Sequence, residues 1–527
     1  MSVDLVIRNG TVLDGTGAKP RVADVGVEDD RITMIGDLKK LKGKHDIDAA
    51  GLYVTPGFID IHSHSDYTLL VDPRAVSAIA QGVTLEVIGN CGFGCAPIAN
   101  PETAAANIYG FDNQIKLTWN RVGEYLDRLA AAKPAVNVMT LVPNGQLRRS
   151  VLGVADRPAT PPELKKMKAL LAEGLDDGAF GYSTGLEYPA ERGAPDEELV
   201  ELCKVAAKAG GMYAAHTRRR DDGAVSAIDE AIRVGEKAGA RIQISHLLPR
   251  KTSNGEDEQS LELIDRARGR GLDIAFDMHT RLYGTTFLNT IIPPWASDGG
   301  PGALARNLAS ADSRRRMREF TSIVAGGGWD RVVLLDHPKF PQYSRRSFGD
   351  LARQERRDAF DIALDILSAE LDELTRAMVI IHAYTPDQQA LIFSHPLCMA
   401  GSDATTLAPD GPLANSVFHG AYSWASWYFH FMVHERKLLS PAEAVQRLTA
   451  FPAKTLGLGD RGRIVEGYCA DVAVFDPADF RATATTFEPN QLAKGMRHVV
   501  VNGVPTLKDG SLTGGRGGKV IRRKQTS

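Results

Sequence analysis

The stretch TPGFIDIHSHSD, residues 55–66, decides how this chain is interpreted. Its apolar run GFIDI has the pattern of a buried strand, and the run ends in His62 and His64. Residues two apart in a strand point to the same face, so the two imidazoles converge on one spot. Imidazole is a common ligand of divalent metals, but a short motif is only a hypothesis until its surroundings agree. Alone, the two histidines could equally be ordinary residues near a turn.

Apolar stretches of the same kind recur along the chain and alternate with helical patterns. The predicted strands are 55–62, 83–90, 136–142, 179–183, 211–216, 241–246, 272–277 and 398–403. The segments between them, such as 161–177, 196–209 and 224–238, have one charged face and one apolar face, which is typical of amphipathic helices. Eight alternations of strand and helix predict an α/β fold, a (β/α)₈ TIM-type barrel formed by residues 55–280 and 398–459.

The two ends of the chain have a different pattern, with short alternating segments separated by Gly and Asp turn signals. Residues 1–54 and 460–515 are therefore expected to form one small β-sandwich domain, since either half alone would leave sheet edges unpaired.

Residues 281–397 separate the seventh predicted strand from the eighth. A structureless loop of that length is improbable, so we expect an inserted, lid-like subdomain above the barrel mouth. Residues 516–527 are Gly-rich and basic, and we expect a flexible tail there.

Composition narrows the classes of function. The 527 residues are 43% hydrophobic and 24% charged, with a net charge of -3, so charge gives no reason to expect a nucleic-acid or membrane partner. The start of the chain lacks a signal-peptide pattern, and no stretch is apolar enough to span a bilayer. Five cysteines argue against a disulfide framework and predict a cytoplasmic protein. A homo-oligomer is left open.

Metal-binding residue types stand at the ends of five predicted strands. They are His62, His64, Cys91, His216, His246 and Asp403. The carboxyl ends of parallel barrel strands face one mouth, so these side chains should converge. Because such groups are costly to bury without partners, the set predicts a metal site.

The segments PGFIDIHSHSD, GVTLEVIGNCGFGCAP, GAFGYSTGLEYP, YAAHTR, QISHL and MAGSD together carry a family resemblance. The chain resembles the amidohydrolase superfamily, and within it the N-acyl-D-amino-acid deacylases (D-aminoacylases), from about residue 3 to residue 506. The cysteine of GNCGF is the most specific sign, because most relatives have a carboxylated lysine there.

The resemblance implies a zinc enzyme that hydrolyses the amide bond of an N-acyl amino acid, with an N-acyl-D-amino acid as the expected substrate. It implies one tight zinc site at Cys91, His216 and His246, and a second, weaker site at His62 and His64 toward which Cys91 could bridge. Asp403 would be the catalytic acid and base, taking up the proton of the attacking water and passing it to the leaving nitrogen.

The chain departs from the deacylases where the substrate's carboxylate should bind. A lysine that helps bind the carboxylate is replaced by Leu248, and the usual aromatic set after Asp277 is absent. Arg219, Arg220 and Arg281 are possible substitutes for binding the carboxylate, although Arg219 and Arg220 are expected rather to lie in a solvated charge run. The residues expected to contact substrate are Arg218, His279, Arg281 and Tyr188.

Three alternatives remain open. First, the same site could hydrolyse a neutral amide, anilide or carbamate with a sizeable apolar group. Second, the enzyme could deaminate a ring amine, although Cys91 disfavours this reaction. Third, the protein could be a metal-free scaffold, although the complete ligand set disfavours that function. Aromatic residues that could line an apolar pocket, or pack in the core or lid, are Tyr283, Trp295, Tyr384, Trp424 and Trp427.

Overall fold

The computed structural model describes residues 2–153, 155–188, 191–250, 255–297, 301–320, 322, 324 and 327–524, which form a mixed α/β fold. Its strands are β1 Ser2–Val12, β2 Arg21–Glu28, β3 Arg31–Gly36, β4 Lys42–Asp48, β5 Tyr53–Pro56, β6 Phe58–Asp60, β7 Val83–Ile88, β8 Asn137–Thr140, β9 Val142–Pro143, β10 Gly181–Gly185, β11 Met212–His216, β12 Arg241–Ile244, β13 Ile274–His279, β14 Tyr283–Phe287, β15 Val332–Leu334, β16 Met378–His382, β17 Cys398–Gly401, β18 Val472–Phe475, β19 Met496–Val501, β20 Val504–Lys508 and β21 Ser511–Leu512.

The α-helices are α1 Thr68–Val71, α2 Val76–Ile79, α3 Pro101–Ala105, α4 Val122–Ala132, α5 Asn144–Leu152, α6 Pro161–Asp176, α7 Asp196–Lys208, α8 Ala224–Ala238, α9 Glu256–Gly269, α10 Pro294–Ser297, α11 Pro301–Ala309, α12 Ala311–Met317, α13 Phe348–Glu355, α14 Ala359–Ser368, α15 Pro386–Ser394, α16 Trp424–Phe429, α17 Pro441–Leu448 and α18 Ala450–Thr455. Short 3₁₀ turns lie at Leu288–Ile291, Trp329–Arg331, Leu374–Arg376 and Gly411–Leu413, and a π-helical turn lies at His430–Glu435. Among these described helices, none combines the length and the apolar character that a membrane span requires.

The chain divides into two compact units. The first comprises Met1–Pro249, Gly255–Thr280 and Ala390–Ser527, and the second comprises Arg250–Asn254 and Arg281–Gln389.

Strands from both ends of the chain lie in one sheet of the first unit. The strand order is β21-β20-β19-β18-β5-β1-β2-β3, and β4 also pairs with β1. Alternate residues along these strands, including Leu5, Ile7, Val472 and Val474, share one apolar core.

The first unit also contains two parallel sheets, and each of the eight predicted strand stretches overlaps a strand of these sheets. One sheet has the order β6-β7-β8, and the other has the order β17-β13-β12-β11-β10-β9. Every residue of β7 is buried, as expected for a parallel strand covered on both faces. Only Leu141 separates β8 from β9, and its N–H donates to the carbonyl of Ile88 at 2.9 Å.

The ends of β6 and β17 are also joined by hydrogen bonds. The Asp403 N–H donates to the carbonyl of His62 at 2.8 Å, and the Ser402 N–H donates to the Asp60 carboxyl at 2.9 Å. The first and last of the parallel strands therefore meet at their carboxyl ends.

Local sequence signals explain where helices of this unit begin. α17 starts after Ser440, whose hydroxyl accepts a hydrogen bond from the Glu443 N–H, while the Glu443 carboxylate accepts one from the Ser440 N–H. This reciprocal capping box satisfies two N–H groups that a helix start otherwise leaves without partners.

The second unit has its own antiparallel sheet, in the order β14-β16-β15, and its own apolar core. Leu304, Phe348, Leu364 and Leu367 are members of that core. The unit ends at Gln389, inside the range 281–397 that the sequence predicted for an insertion.

The expectation of a flexible tail is wrong for residues 516–524. The N–H of Val138 in β8 donates to the carbonyl of Lys519 at 2.9 Å, and the Ile521 N–H donates to the Val138 carbonyl at 2.8 Å. Ile521 packs against the core of the parallel strands, and the Arg523 N–H donates to the carbonyl of Gly178 at 2.9 Å. The segment pairs with a strand that is distant in sequence, and amino-acid composition does not reveal such pairing. Residues 525–527 lie outside the described residues.

Candidate metal centre

The six residues expected at the metal site all lie at or just after the carboxyl ends of parallel strands. His62 and His64 follow β6, Cys91 follows β7, His216 ends β11, His246 follows β12 and Asp403 follows β17. Three of them have left-handed backbones, with φ values of 53° at Cys91, 36° at His246 and 46° at Asp403. This conformation is uncommon for residues with a side chain and is concentrated at functional sites.

The first cluster of donor atoms comprises His62, His64, Cys91 and Asp403, whose ligand atoms all lie within 4.8 Å of one another. The Nε2 atom of His62 is 3.1 Å from the Sγ atom of Cys91, and the Nε2 atom of His64 is 3.2 Å from an Asp403 carboxylate oxygen. The same Asp403 oxygen is 3.6 Å from Nε2 of His62.

The second cluster comprises Cys91, His216 and His246, and its ligand atoms also lie within 4.8 Å of one another. The Sγ atom of Cys91 is 3.4 Å from Nε2 of His246, and the ring centroids of His216 and His246 are 4.5 Å apart. Cys91 belongs to both clusters, so one sulfur lies between two places where three or more donors converge.

The chemistry of these donors fits zinc. Sulfur, imidazole nitrogen and carboxylate oxygen are the ligands of protein zinc sites, with bonds of about 2.0–2.3 Å. Burial raises the pKa of the Cys91 thiol to about 11, so the buried thiol needs a nearby cation to become the thiolate that binds metal. Burial, then Arg220 and His216, lowers the pKa of His246 well below its usual value and keeps that ring in the neutral, metal-binding form.

Asp277 accepts hydrogen bonds from two of the candidate ligands, and this role was not predicted from the sequence. One oxygen of its buried carboxylate accepts a hydrogen bond from Nδ1 of His62 at 3.0 Å and from the His246 N–H at 2.9 Å. Its other oxygen accepts from Nε2 of Gln243 at 2.6 Å. Because Nδ1 of His62 faces the carboxylate, Nε2 is left for a metal.

The groups around His62 stabilise the protonated, positively charged form of its imidazole. Burial alone would lower the pKa of this imidazole, but Asp277 and Cys91 outweigh burial and raise the pKa well above its usual value. A divalent cation is a second way to supply the positive charge that these groups stabilise.

Two of the four residues expected to contact substrate lie beside the ligands. Nε2 of His279 is 4.0 Å from an Asp403 carboxylate oxygen, and the ring centroid of Tyr188 is 4.7 Å from that of His216.

The guanidinium of the third residue, Arg218, has partners of its own. The guanidinium of Arg218 forms an ion pair with Glu230 at 2.7 Å, and it donates to the carbonyls of Arg192 and Ala194, both at 2.8 Å. These contacts hold the guanidinium in place, and its role in binding substrate stays a prediction. Arg281 belongs to the second unit, where its carbonyl accepts a hydrogen bond from Gln389 at 2.7 Å.

Two further charged residues lie near the centre: Glu187 was not predicted, and Arg220 was named only as a possible substitute for binding the carboxylate. Glu187 lies with a carboxylate oxygen 3.1 Å from Nε2 of His216. Arg220 is only 6% exposed, whereas the side chain of its neighbour Arg219 is 56% exposed, so the expectation of a solvated run is wrong for Arg220.

Partly exposed aromatic rings form a wall beside the histidines. The wall consists of Phe93, Tyr109, Tyr188 and Phe418. Tyr109 lies 4.5 Å from both His64 and Phe93 between ring centroids, and Phe93 lies 4.8 Å from Tyr188. Of these four residues the sequence analysis named Tyr188, and Phe93 was marked only by its position two residues after Cys91.

The other aromatic residues named from the sequence are divided between the two units. Tyr283, Trp295 and Tyr384 belong to the second unit. In the first unit Trp424 is fully buried, and Trp427 stacks on Phe431 with ring centroids 4.3 Å apart. Trp424 therefore packs in the protein core, and the partly exposed Trp427 packs against Phe431.

Comparison with known proteins gives matches along almost the whole chain. The model described as "Amidohydrolase family" matches residues 46–507. A D-aminoacylase of Alcaligenes xylosoxydans xylosoxydans is 31% identical over 521 residues, covering 99% of this chain and 98% of the relative. An N-acyl-D-glutamate deacylase of the same organism is 32% identical over 528 residues, covering 99% and 97%. The crystal structure of N-acyl-D-glutamate deacylase from Bordetella bronchiseptica, complexed with zinc and a phosphonate inhibitor that mimics the tetrahedral intermediate, has a TM-score of 0.82, 30% identity and coverage of 99% and 100%.

Proposed function

This chain belongs to the amidohydrolase family, and on that premise we propose that it is a zinc-dependent deacylase that hydrolyses the amide bond of an N-acyl-D-amino acid. The observation that carries the proposal is the position of Cys91. Its sulfur is shared by two donor clusters built from the same strand ends, in a chain that matches deacylases over 99% of its length.

We further infer that the two parallel sheets form one (β/α)₈ barrel. The single residue between β8 and β9, and the hydrogen bonds between the ends of β6 and β17, support a closed ring of eight strands. In such a barrel all six candidate ligands lie at the catalytic face.

The proposed zinc ligands are Cys91, His216 and His246 at a tight site, with His62, His64 and Asp403 beside Cys91 at a weaker one. Bound zinc supplies Lewis acidity, which activates a water molecule near neutral pH and polarises the amide carbonyl. Asp403 takes the proton from the attacking water and returns it to the nitrogen as the C–N bond breaks. The position of Asp403, 3.2 Å from His64, lets one carboxylate serve both steps beside the ligands.

The substrate is a small-molecule amide with an apolar part. The aromatic wall offers ring faces to an acyl group or side chain next to the reacting bond. A neutral amide, anilide or carbamate is the second candidate class. The carboxylate of Glu187 beside His216 and the engagement of Arg218 by Glu230 favour this second class.

The test measures zinc content and stereospecific hydrolysis together. Purified protein should contain zinc by mass spectrometry, and it should release amine from N-acetyl-D-leucine faster than from N-acetyl-L-leucine. A chelator should abolish this activity, and added zinc should restore it. A protein without zinc would support a scaffold, and hydrolysis only of N-acyl carboxamides or anilides would move the function to the neutral class.

A further inference from the structure

Glu86 is a buried carboxylate in β7 whose two oxygens contact the ends of two other strands. It is 2% exposed. Its Oε2 atom accepts a hydrogen bond from the Ser63 hydroxyl at 3.2 Å, and its Oε1 atom accepts one from the Thr406 hydroxyl at 2.8 Å. Ser63 follows β6 and Thr406 follows β17, so one side chain joins two segments that are far apart in the chain.

The hydroxyl of Ser65 adds a second connection between the same segments. It lies 2.8 Å from the Ser63 hydroxyl oxygen and accepts a hydrogen bond from the Thr406 N–H at 2.7 Å. Ser63 and Ser65 are fully buried, and Thr406 is 3% exposed. The Glu86 carboxylate and these three hydroxyls therefore form one buried hydrogen-bonded set, the Glu86 network.

Three donors of the first cluster are attached to the Glu86 network through the backbone. Ser63 lies between His62 and His64, and Thr406 lies three residues after Asp403. The left-handed backbone of Asp403, with a φ of 46°, is a strained conformation that persists only where its surroundings hold it. The distances between these three side chains therefore depend on how the two segments are held together.

The partners of Glu86 are uncommon for a buried carboxylate. The groups that hydrogen-bond to it are hydroxyls, and among the described residues no basic side chain forms an ion pair with it. Burying a carboxylate with neutral donors alone is costly, and this cost raises the pKa of Glu86. An apolar residue, which is usual in a parallel strand covered on both faces, would avoid the cost. Stability alone therefore gives no reason for a glutamate here, whereas a link between two ligand-bearing segments does.

We propose that Glu86 is a positioning residue for the first donor cluster. Its carboxylate holds the segment with His62 and His64 against the segment with Asp403, and it thereby sets the distances between their donor atoms. The histidines of the second cluster belong to other strand ends, those of β11 and β12, so their positions do not depend on Glu86. The inference rests on the proposed zinc enzyme and goes beyond it, because it gives control of the weaker zinc site to a residue that binds neither metal nor substrate.

Competition between the protein and a zinc-binding dye gives the zinc affinities of the two clusters. The affinity that His64→Ala abolishes belongs to the first cluster, since His64 is not a member of the second. Glu86→Met keeps the length of the side chain but removes both acceptor oxygens. The zinc affinity of the first cluster should therefore fall about tenfold, while that of the second cluster stays the same.

Thr406→Val removes one hydroxyl of the Glu86 network and keeps the shape of the side chain. It should weaken the first cluster by itself but add nothing in Glu86→Met, because the hydrogen bond that the two residues share is already lost. Thr55→Val is the matched control, because Thr55 is fully buried and its hydroxyl donates to the carbonyls of Pro56 and Ala473, outside the network. This control should bind zinc like the wild-type protein at both clusters.

Three results would overturn the inference: wild-type affinity at the first cluster of Glu86→Met, equal losses at both clusters, or additive losses in Glu86→Met/Thr406→Val. If Glu86→Met fails to fold, Thr406→Val decides: a loss confined to the first cluster supports the inference, and any other result overturns it. A wild-type protein with a single zinc affinity would also overturn it. A wild-type protein that binds no zinc would refute the proposed function and this inference with it, whereas two zinc affinities that both survive Glu86→Met would refute this inference alone.

Discussion

The substitution Asp277→Asn tests whether the metal centre depends on a residue that does not itself bind metal. Asparagine has nearly the same shape, and its Oδ1 can still accept the hydrogen bonds from His62 and His246. Its amide nitrogen can donate to Gln243 once that side chain rotates, since Oε1 of Gln243 is buried without a hydrogen-bond partner among the described residues. The change therefore removes the charge and preserves the geometry.

The expected magnitude follows from the hydrogen bonds in the structure. Two of the bonds accepted by Asp277 hold candidate ligands, His62 at 3.0 Å and His246 at 2.9 Å. A hydrogen bond to a charged group contributes about 1 kcal/mol more than a neutral one. Losing the charge at both bonds costs about 2 kcal/mol, or about 30-fold in zinc affinity. The His62 cluster should weaken more, because there the bond is to the imidazole ring.

Competition with a chromophoric chelator at fixed pH measures this affinity directly. Asp221→Asn is the matched control, because Asp221 is exposed and pairs with Arg219 away from the ligands. We expect Asp221→Asn to bind zinc like the wild-type protein. If Asp277→Asn also binds zinc with wild-type affinity at both clusters, while remaining folded by circular dichroism, then the carboxylate does not support the ligands and the reasoning fails.

Three further predictions concern turnover, specificity and pH. Asp403→Asn should abolish turnover but leave zinc at the tight site, because it removes the proton acceptor and not Cys91, His216 or His246. Mass spectrometry measures the bound zinc and an amine-release assay measures turnover. Retained activity would contradict the prediction. Phe93→Leu should lower kcat/KM about tenfold for N-benzoyl substrates and little for N-acetyl ones, because it removes an aromatic contact of the wall; equal losses in the substrate series would argue against the wall. Burial raises the pKa of Glu191 to about 7, so between about pH 4.5 and 7 the native state keeps a proton that the unfolded state has lost. The free energy of unfolding should therefore fall as pH rises through this range, by at most about 1.4 kcal/mol per pH unit. Denaturant titrations at several pH values should show that Glu191→Gln removes this part of the slope.

The sequence could predict the ligand cluster because each member is tied to a local signal. His62 and His64 are two apart after an apolar strand, and Cys91, His216 and Asp403 stand where other apolar runs end. Once the strands are parallel, their ends must meet, so residues far apart in the chain become neighbours. Asp277 had the same kind of signal, as a polar residue in an apolar strand, but its hydrogen bonds to two ligands depend on side-chain directions that periodicity does not give.

The contrast between Arg218 and Arg220 shows where this reasoning ends. Both follow β11, and the alternation of faces that holds within a strand stops once the chain enters a loop. The inward turn of Arg220 depends on carbonyls of residues 246 and 248, and the capture of Arg218 depends on Glu230 in α8. Neither partner is identifiable from the run of three arginines. The candidate ligands stand at strand ends, where the sequence pattern predicts position, whereas the contacts of loop residues such as Arg218 and Arg220 are set by the fold as a whole.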